Sequence, residues 1–85
     1  MTIVSENIIP GEHGKTFGTN ANSSSEIQSV KNAILEVDHV KEVHIKDNVF
    51  PVEVTVFTTE MVSIKDVQEA VISVGFHVIP KRVFN

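Results

Sequence analysis

One eight-residue pattern occurs twice in this chain and limits its fold more than any other feature. Residues 30–37 and residues 67–74 both read V-x-x-A-[IV]-[LI]-x-V. In a helix, the apolar residues at i, i+4 and i+7 and the alanine at i+3 lie along one side. The small alanine lets that side approach a sheet closely. The repeat therefore predicts two amphipathic helices that pack against β-structure.

Each predicted helix begins at a serine that can cap it. Ser23 and Glu26 have the spacing of a capping box, in which each side chain accepts a hydrogen bond from the main-chain N–H of the other residue. We predict the first helix over residues 24–38 and the second from a cap at Ser63 to a terminal Gly75. The residues expected to face the core are Ile27, Val30, Ile34 and Val37 in the first helix, and Ile64, Val67, Val71 and Val74 in the second.

Four segments have strand character. Residues 2–9 are rich in isoleucine, residues 41–47 and 52–57 alternate apolar with polar side chains, and residues 77–84 form the last apolar run. Pro80 cannot donate to a strand ladder, so we predict that the last run is an edge strand.

The order of these elements is β-α-β-β-α-β. With right-handed crossovers, this order predicts an α+β ferredoxin-like sandwich, with a four-stranded antiparallel sheet and two helices on one face. The second and fourth strands are the edges of such a sheet. Three of the four glycines lie in residues 10–22, which have no periodicity. We therefore predict a single domain over residues 1–85, with an ordered long first loop at residues 10–22 that covers one end of the sandwich.

Charge and composition exclude several classes of function. The formal net charge is −4 and the chain has one arginine, which argues against a nucleic-acid partner. The chain has no cysteine, so disulfides, thiolate metal sites and cysteine nucleophiles are excluded. We find no signal peptide and no apolar run of membrane-spanning length, which predicts a soluble cytoplasmic protein without a membrane partner. Since no catalytic triad or carboxylate pair can be assembled, we expect no enzyme, no catalytic residues and no organic cofactor.

The second half of the chain resembles a known family in the order and spacing of its segments. Val43-His-Ile45, Val54-Thr-Val56 and the run VSIKDVQEAVISVGFHV at residues 62–78 follow the pattern of a heavy-metal-associated domain. That family includes copper chaperones and the N-terminal modules of metal-transporting ATPases. The resemblance implies the ferredoxin-like fold, a role in metal ion transport or homeostasis, and a metal transporter or another protein as partner.

The metal-binding motif of that family is missing from this chain. The two cysteines of its C-x-x-C motif would fall on Ser23 and Glu26, whose hard oxygen atoms do not replace thiolates for copper(I). His13 and His77 are expected at the same end of the sandwich. With Glu12 or Asp47 they would form a weak zinc, nickel or copper(II) site. The alternative, that both are ordinary solvated histidines, stays open.

Two groups of apolar residues, each with at least one phenylalanine, are candidates for a binding surface. Phe17, Phe50 and Phe76 are expected at the same end, where they would either line a ligand pocket or let Phe17 hold the first loop in place. Phe57 and Ile79 are expected on the helix-free side of the sheet. There they would either form a patch for a weak homodimer or another protein, or be ordinary exposed residues.

These observations lead to one hypothesis and two alternatives. The first is a small non-enzymatic binding module of the heavy-metal-associated type, without thiolate ligands, that holds a borderline divalent metal weakly. The second is a structural or regulatory protein-interaction domain that handles no metal and uses the first loop or the open side of the sheet. The third is a small-ligand sensor that resembles amino-acid-binding ACT domains.

Overall fold

In the part of the chain that the structure describes, two helices and a four-stranded antiparallel sheet dominate the fold, and a separate two-stranded sheet accompanies them. The computed structural model describes residues 7–8, 10 and 14–81. In chain order the elements are β1 (Asn7–Ile8), β2 (Lys15–Thr19), α1 (Ser24–Leu35), β3 (Val40–Lys46), β4 (Val52–Thr58), β5 (Val62–Ser63), α2 (Ile64–Ile72) and β6 (Val78–Pro80).

The order of the strands in the large sheet is the one predicted. It runs β3-β4-β2-β6, and each neighbouring pair is antiparallel. The second and fourth strands of this sheet along the chain, β3 and β6, are therefore its edges. This arrangement confirms the predicted α+β class and fits the ferredoxin-like order.

The position of the first strand differs from the prediction. Lys15–Thr19 forms the central strand β2, although residues 10–22 were predicted to be a loop. From the predicted strand at residues 2–9, the structure describes Asn7–Ile8, which pairs with Val62–Ser63 in the small sheet. The remainder of residues 2–9, and residues 11–13 of the predicted loop, lie outside the described part.

Alternation in β2 explains why it is a strand. Phe17 and Thr19 are buried on the helix side, while Thr16 and Gly18 lie on the opposite side. The pattern is hidden in the sequence because only one of these residues is strongly apolar. Phe17 lies opposite Val54 on one neighbouring strand and Pro80 on the other. It is therefore a core residue, and the prediction that it lines a terminal pocket or pins a loop is wrong.

The core lies between the inner side of the sheet and both helices. Fully buried Val30 and Ile34 of α1 and Val67 and Val71 of α2 belong to one cluster that includes β4. In β4 every second residue is buried, which places the others on the helix-free side of the sheet. The shared cluster shows that both helices pack on the same face.

Both helices end earlier than predicted. After Leu35, the N–H groups of Glu36 and Val37 donate to carbonyls three residues back, so the last turn tightens and leaves Val37 only half-buried. The prediction that Val74 faces the core is wrong. It follows the end of α2 at Ile72 and is 40% exposed.

A glycine turn closes α2, as the sequence predicts. Gly75 has φ +94°. Its N–H donates to Ile72 O at 2.9 Å, and the N–H of Phe76 donates to Val71 O at 3.2 Å. These two bonds form the Schellman pattern and return the chain toward β6.

Candidate functional site

Of the predicted metal-binding pair, His13 and His77, the structure describes His77. His77 is exposed just before β6, and its main chain is fixed from both sides. Its N–H donates to Asn20 Oδ1 at 2.9 Å, and its carbonyl accepts from Thr19 Oγ1 at 2.8 Å. His13 and Glu12 lie outside the described residues. The pairing of His13 with His77 stays a prediction.

Ser23 and Glu26, which stand at the positions of the missing cysteines, form the predicted capping box. The N–H of Glu26 donates to Ser23 Oγ at 3.2 Å, and the N–H of Ser23 donates to Glu26 Oε1 at 3.3 Å. The N–H of Asn22 also donates to Glu26 Oε1, at 3.1 Å. These bonds from Asn22 and Ser23 lower the pKa of Glu26. Both side chains thus stabilise the helix start, and neither fits a soft metal ion.

Among the described residues, His39 and His44 lie in different parts of the fold. His44 lies on β3 and contacts Glu42 through Nε2 at 2.7 Å. His39 follows α1 at the opposite end of the sheet from His77. Within residues 7–8, 10 and 14–81, no group of three or more His, Asp or Glu side chains is placed to hold an ion.

A shallow apolar groove lies at the end of the sheet that carries His77. Its volume is about 390 Å³. Its walls come from the hairpin between β3 and β4 and from β6. The lining residues include Gly18, Phe50, Pro51, His77, Ile79 and Pro80.

The two largest apolar side chains at the groove are very exposed. Phe50 is 76% exposed and Ile79 is 68% exposed, more than any other large apolar side chain in the described part of the chain. The predicted grouping of three phenylalanines is therefore reduced to Phe50, because Phe17 is buried and Phe76 packs against the core. The prediction that Ile79 faces away from the helices is confirmed.

Gly18 keeps the floor of the groove open. It lies directly between Glu53 of β4 and Ile79 of β6. A Cβ atom at this position would lie 3.7 Å from Pro51 Cβ, so a longer side chain would fill the space above it. Any amino acid could adopt the backbone conformation of Gly18, so the groove stays open because this residue has no side chain.

A row of charges borders the groove. Lys81 Nζ contacts Glu53 Oε2 at 2.7 Å, and Lys46 lies opposite Glu53 on β3. The hydrogen bond from Lys81, together with the charges of Lys81 and Lys46, lowers the pKa of Glu53. Across the sheet, the charges are therefore positive at Lys46, negative at Glu53 and positive at Lys81.

We call the side of the large sheet opposite the helices the open face. Its described residues are Thr16, Gly18, Glu42, His44, Lys46, Glu53, Thr55, Phe57, Ile79 and Lys81. The hydroxyls of Thr16 and Thr55 are 2.9 Å apart, and the rings of His44 and Phe57 are 5.0 Å apart. Phe57 lies on this face as predicted, but it is half-buried, so Ile79 is the more accessible apolar residue.

Sequence reasoning missed the groove because its parts are far apart in the chain. Phe50 and Pro51 lie between the predicted strands at residues 41–47 and 52–57, and Gly18 lies in the predicted loop at residues 10–22. The exposed Ile79 was the available signal, but its neighbour Gly18 follows only from the register of β2 with β6.

Comparison with protein families, curated proteins and solved structures finds no match for this chain. The resemblance to heavy-metal-associated domains stays a prediction. In the described segments, no helix is long and apolar enough to cross a membrane.

Proposed function

We propose that this chain is a non-enzymatic protein-interaction module that docks its partner on the open face of the sheet. The observation that carries the proposal is the apolar groove. The side chains of Phe50 and Ile79 are exposed at its border, and Gly18 forms its floor. Exposed apolar side chains that border a concave surface are typical of binding sites.

The groove supplies a modest binding free energy. Complete burial of a large apolar side chain is worth roughly 1.5–3 kcal/mol. Phe50 and Ile79 are each about two-thirds to three-quarters exposed, so covering both contributes about 2–4 kcal/mol by the same measure. Ordering the partner reduces that gain. The expected interaction is therefore weak and reversible unless other contacts add to it.

An apolar fluorescent probe tests whether the groove takes an apolar group. We would titrate the full chain with anilinonaphthalene sulfonate and repeat the titration with Ile79→Ser. Ile72→Ser is the matched control, because Ile72 is also exposed, at 53%, but lies on α2. The proposal predicts that Ile79→Ser removes most of the fluorescence gain and that Ile72→Ser keeps it. Equal losses in the two variants would contradict the proposal.

A second candidate function is weak binding of zinc, nickel or copper(II), in a setting of metal homeostasis with a metal transporter as partner. The observation that favours it is the exposed ring of His77 on a main chain held by Thr19 and Asn20. An exposed imidazole on a fixed main chain is a suitable ligand for these ions, and His13 would have to supply the second ligand.

Histidine NMR shifts distinguish this second function from the first. His77→Asn is the test variant and His44→Asn, on the open face away from the groove, is the control. Metal binding by His13 and His77 predicts that their ring resonances move together as each ion is added. If both resonances ignore all three ions at millimolar concentration, the chain does not handle metal in this way.

A further inference from the structure

We infer that the partner on the open face is a second copy of this chain, arranged in a two-fold symmetric dimer. The inference rests on the proposed function, because it names the occupant of the same surface. A two-fold interface presents the same patch from both copies, so the patch must be complementary to itself in charge and in shape.

The charges of the open face meet this requirement. The structure places two acids, Glu42 and Glu53, and two lysines, Lys46 and Lys81, on this face, so these four side chains carry no net charge. The formal charge of the whole chain is −4. The excess negative charge therefore comes from residues other than these four. The acidic end of the helix layer would repel the same surface of a second copy, whereas the four charged side chains of the open face have no net charge to oppose association.

The helix layer illustrates the contrast. A hollow of about 490 Å³ at its far end is lined by Glu36, Asp38, Asp66 and Glu69 among others. Lys65 contacts Glu69 at 3.8 Å and offsets one of these charges. This surface remains acidic, so a second copy is repelled from it.

The signs on the open face also alternate, which lets acids of one copy meet lysines of the other. Glu53 lies between Lys46 and Lys81. Glu42 lies two residues from His44 and accepts from its ring at 2.7 Å. When the two-fold axis lies between Glu53 and a neighbouring lysine, a half rotation places Glu53 of each copy opposite that lysine of the other, which a uniformly charged face could not do.

The shape of the patch is self-complementary as well. Projecting Phe50 and Ile79 stand beside the hollow above Gly18. One patch thus provides both a projection and a space to receive it. In a two-fold arrangement each copy inserts its projection into the hollow of the other.

Association through the strand edges is disfavoured. The edge strand β3 is irregular between Val40 and Glu42 and carries Lys41 beside them. The other edge, β6, has three residues and includes Pro80. Bulges, charges and proline all protect sheet edges from pairing with another chain. The open face is consequently the route by which two copies associate.

The size of the face sets the strength of the dimer. Four strands spaced by about 4.8 Å, three of them about 16–23 Å long and β6 about 10 Å long, give a footprint of about 350 Å². Stable interfaces bury about 800 Å² per partner. The face is therefore smaller than a permanent dimer needs, and we expect a dissociation constant in the high micromolar to low millimolar range.

Sedimentation equilibrium on the full chain tests the inference. Wild type should show a monomer–dimer equilibrium, Ile79→Lys should weaken it at least tenfold, and Ile72→Lys should leave it within a factor of two. The two variants add the same charge, and their melting curves verify that both remain folded. A wild type that stays monomeric at 2 mM, or a dimer that Ile72→Lys breaks and Ile79→Lys does not, would overturn the inference.

Amide NMR shifts during dilution of the wild type locate the interface without a mutation. We expect concentration-dependent shifts at Gly18, Thr55 and Ile79, and none at Ser29 on α1. Shifts confined to the helices would place the interface elsewhere and reject this dimer. If the chain is monomeric but Ile79→Ser still abolishes dye binding, the dimer is refuted while the proposed function stands. If dye binding is also insensitive to Ile79, both fail.

Discussion

Replacing Phe17 by alanine should show that residues 15–19 form a central strand. Phe17 is fully buried between Val54 and Pro80. Truncation of a buried phenylalanine typically costs about 3–5 kcal/mol. At about 0.05–0.15 kcal/mol per residue, a domain of this length has a total stability of about 4–13 kcal/mol. The variant should therefore lose a large part of its stability.

Urea denaturation followed by circular dichroism measures this loss. Phe50→Ala is the matched control, because Phe50 is 76% exposed and its truncation should cost less than about 1 kcal/mol. If Phe17→Ala leaves too little folded protein to measure, Phe17→Leu gives a graded change of about 1.5 kcal/mol or less. Equal losses for Phe17→Ala and Phe50→Ala would refute the assignment of residue 17 to the core.

Three further predictions concern the ends of the helices. Ser23→Ala should lower the free energy of unfolding by about 1 kcal/mol in urea denaturation, whereas Ser25→Ala should change it little, and equal effects would contradict the capping role. The pKa of Glu26 is lowered in the folded state, so its contribution is present above the unfolded pKa and disappears as pH falls through the folded pKa. Unfolding curves at several pH values should therefore show a weaker acid dependence in Glu26→Gln, and identical dependence in both proteins would rule this out. His39 has φ +72°, a conformation that costs a non-glycine residue about 1–2 kcal/mol. His39→Gly should raise the melting temperature, while His39→Ala should not.

The sequence alone was sufficient to predict the helices and strands that have strong apolar periodicity. The repeated pattern placed Val30 and Val67 correctly on the inner sides of two helices, and the serine caps fixed where those helices begin. Alternation identified β3 and β4, and Pro80 marked the edge strand. In each case the local pattern and the tertiary packing favour the same structure.

Residues 15–19 were missed because their tertiary context outweighs their local preference. Glycine and lysine are depleted in strands and the segment has one strongly apolar residue, so the pairing of β2 with strands on both sides is what makes it a strand. β-propensity depends on such neighbours more than helix propensity does. Residues 2–9, with their isoleucines, had the stronger local signal for the first strand.

The candidate site was only partly predictable for a related reason. The sequence predicts that Phe50 lies at the same end as Phe76, and that Ile79 lies on the helix-free side of the sheet. The groove itself needs Gly18 opposite Ile79, a juxtaposition that follows from strand register and not from spacing in the chain. Long-range geometry of this kind leaves no local pattern in a single sequence.

The central claim is that the open face is the binding surface. Mapping the bound dye by amide NMR shifts tests this claim most directly. Titration of uniformly labelled wild type with anilinonaphthalene sulfonate should shift the amides of Gly18, His77 and Ile79 most, and leave those of α1 and α2 unchanged. Largest shifts along the two helices, with the amides of β6 unmoved, would contradict the account.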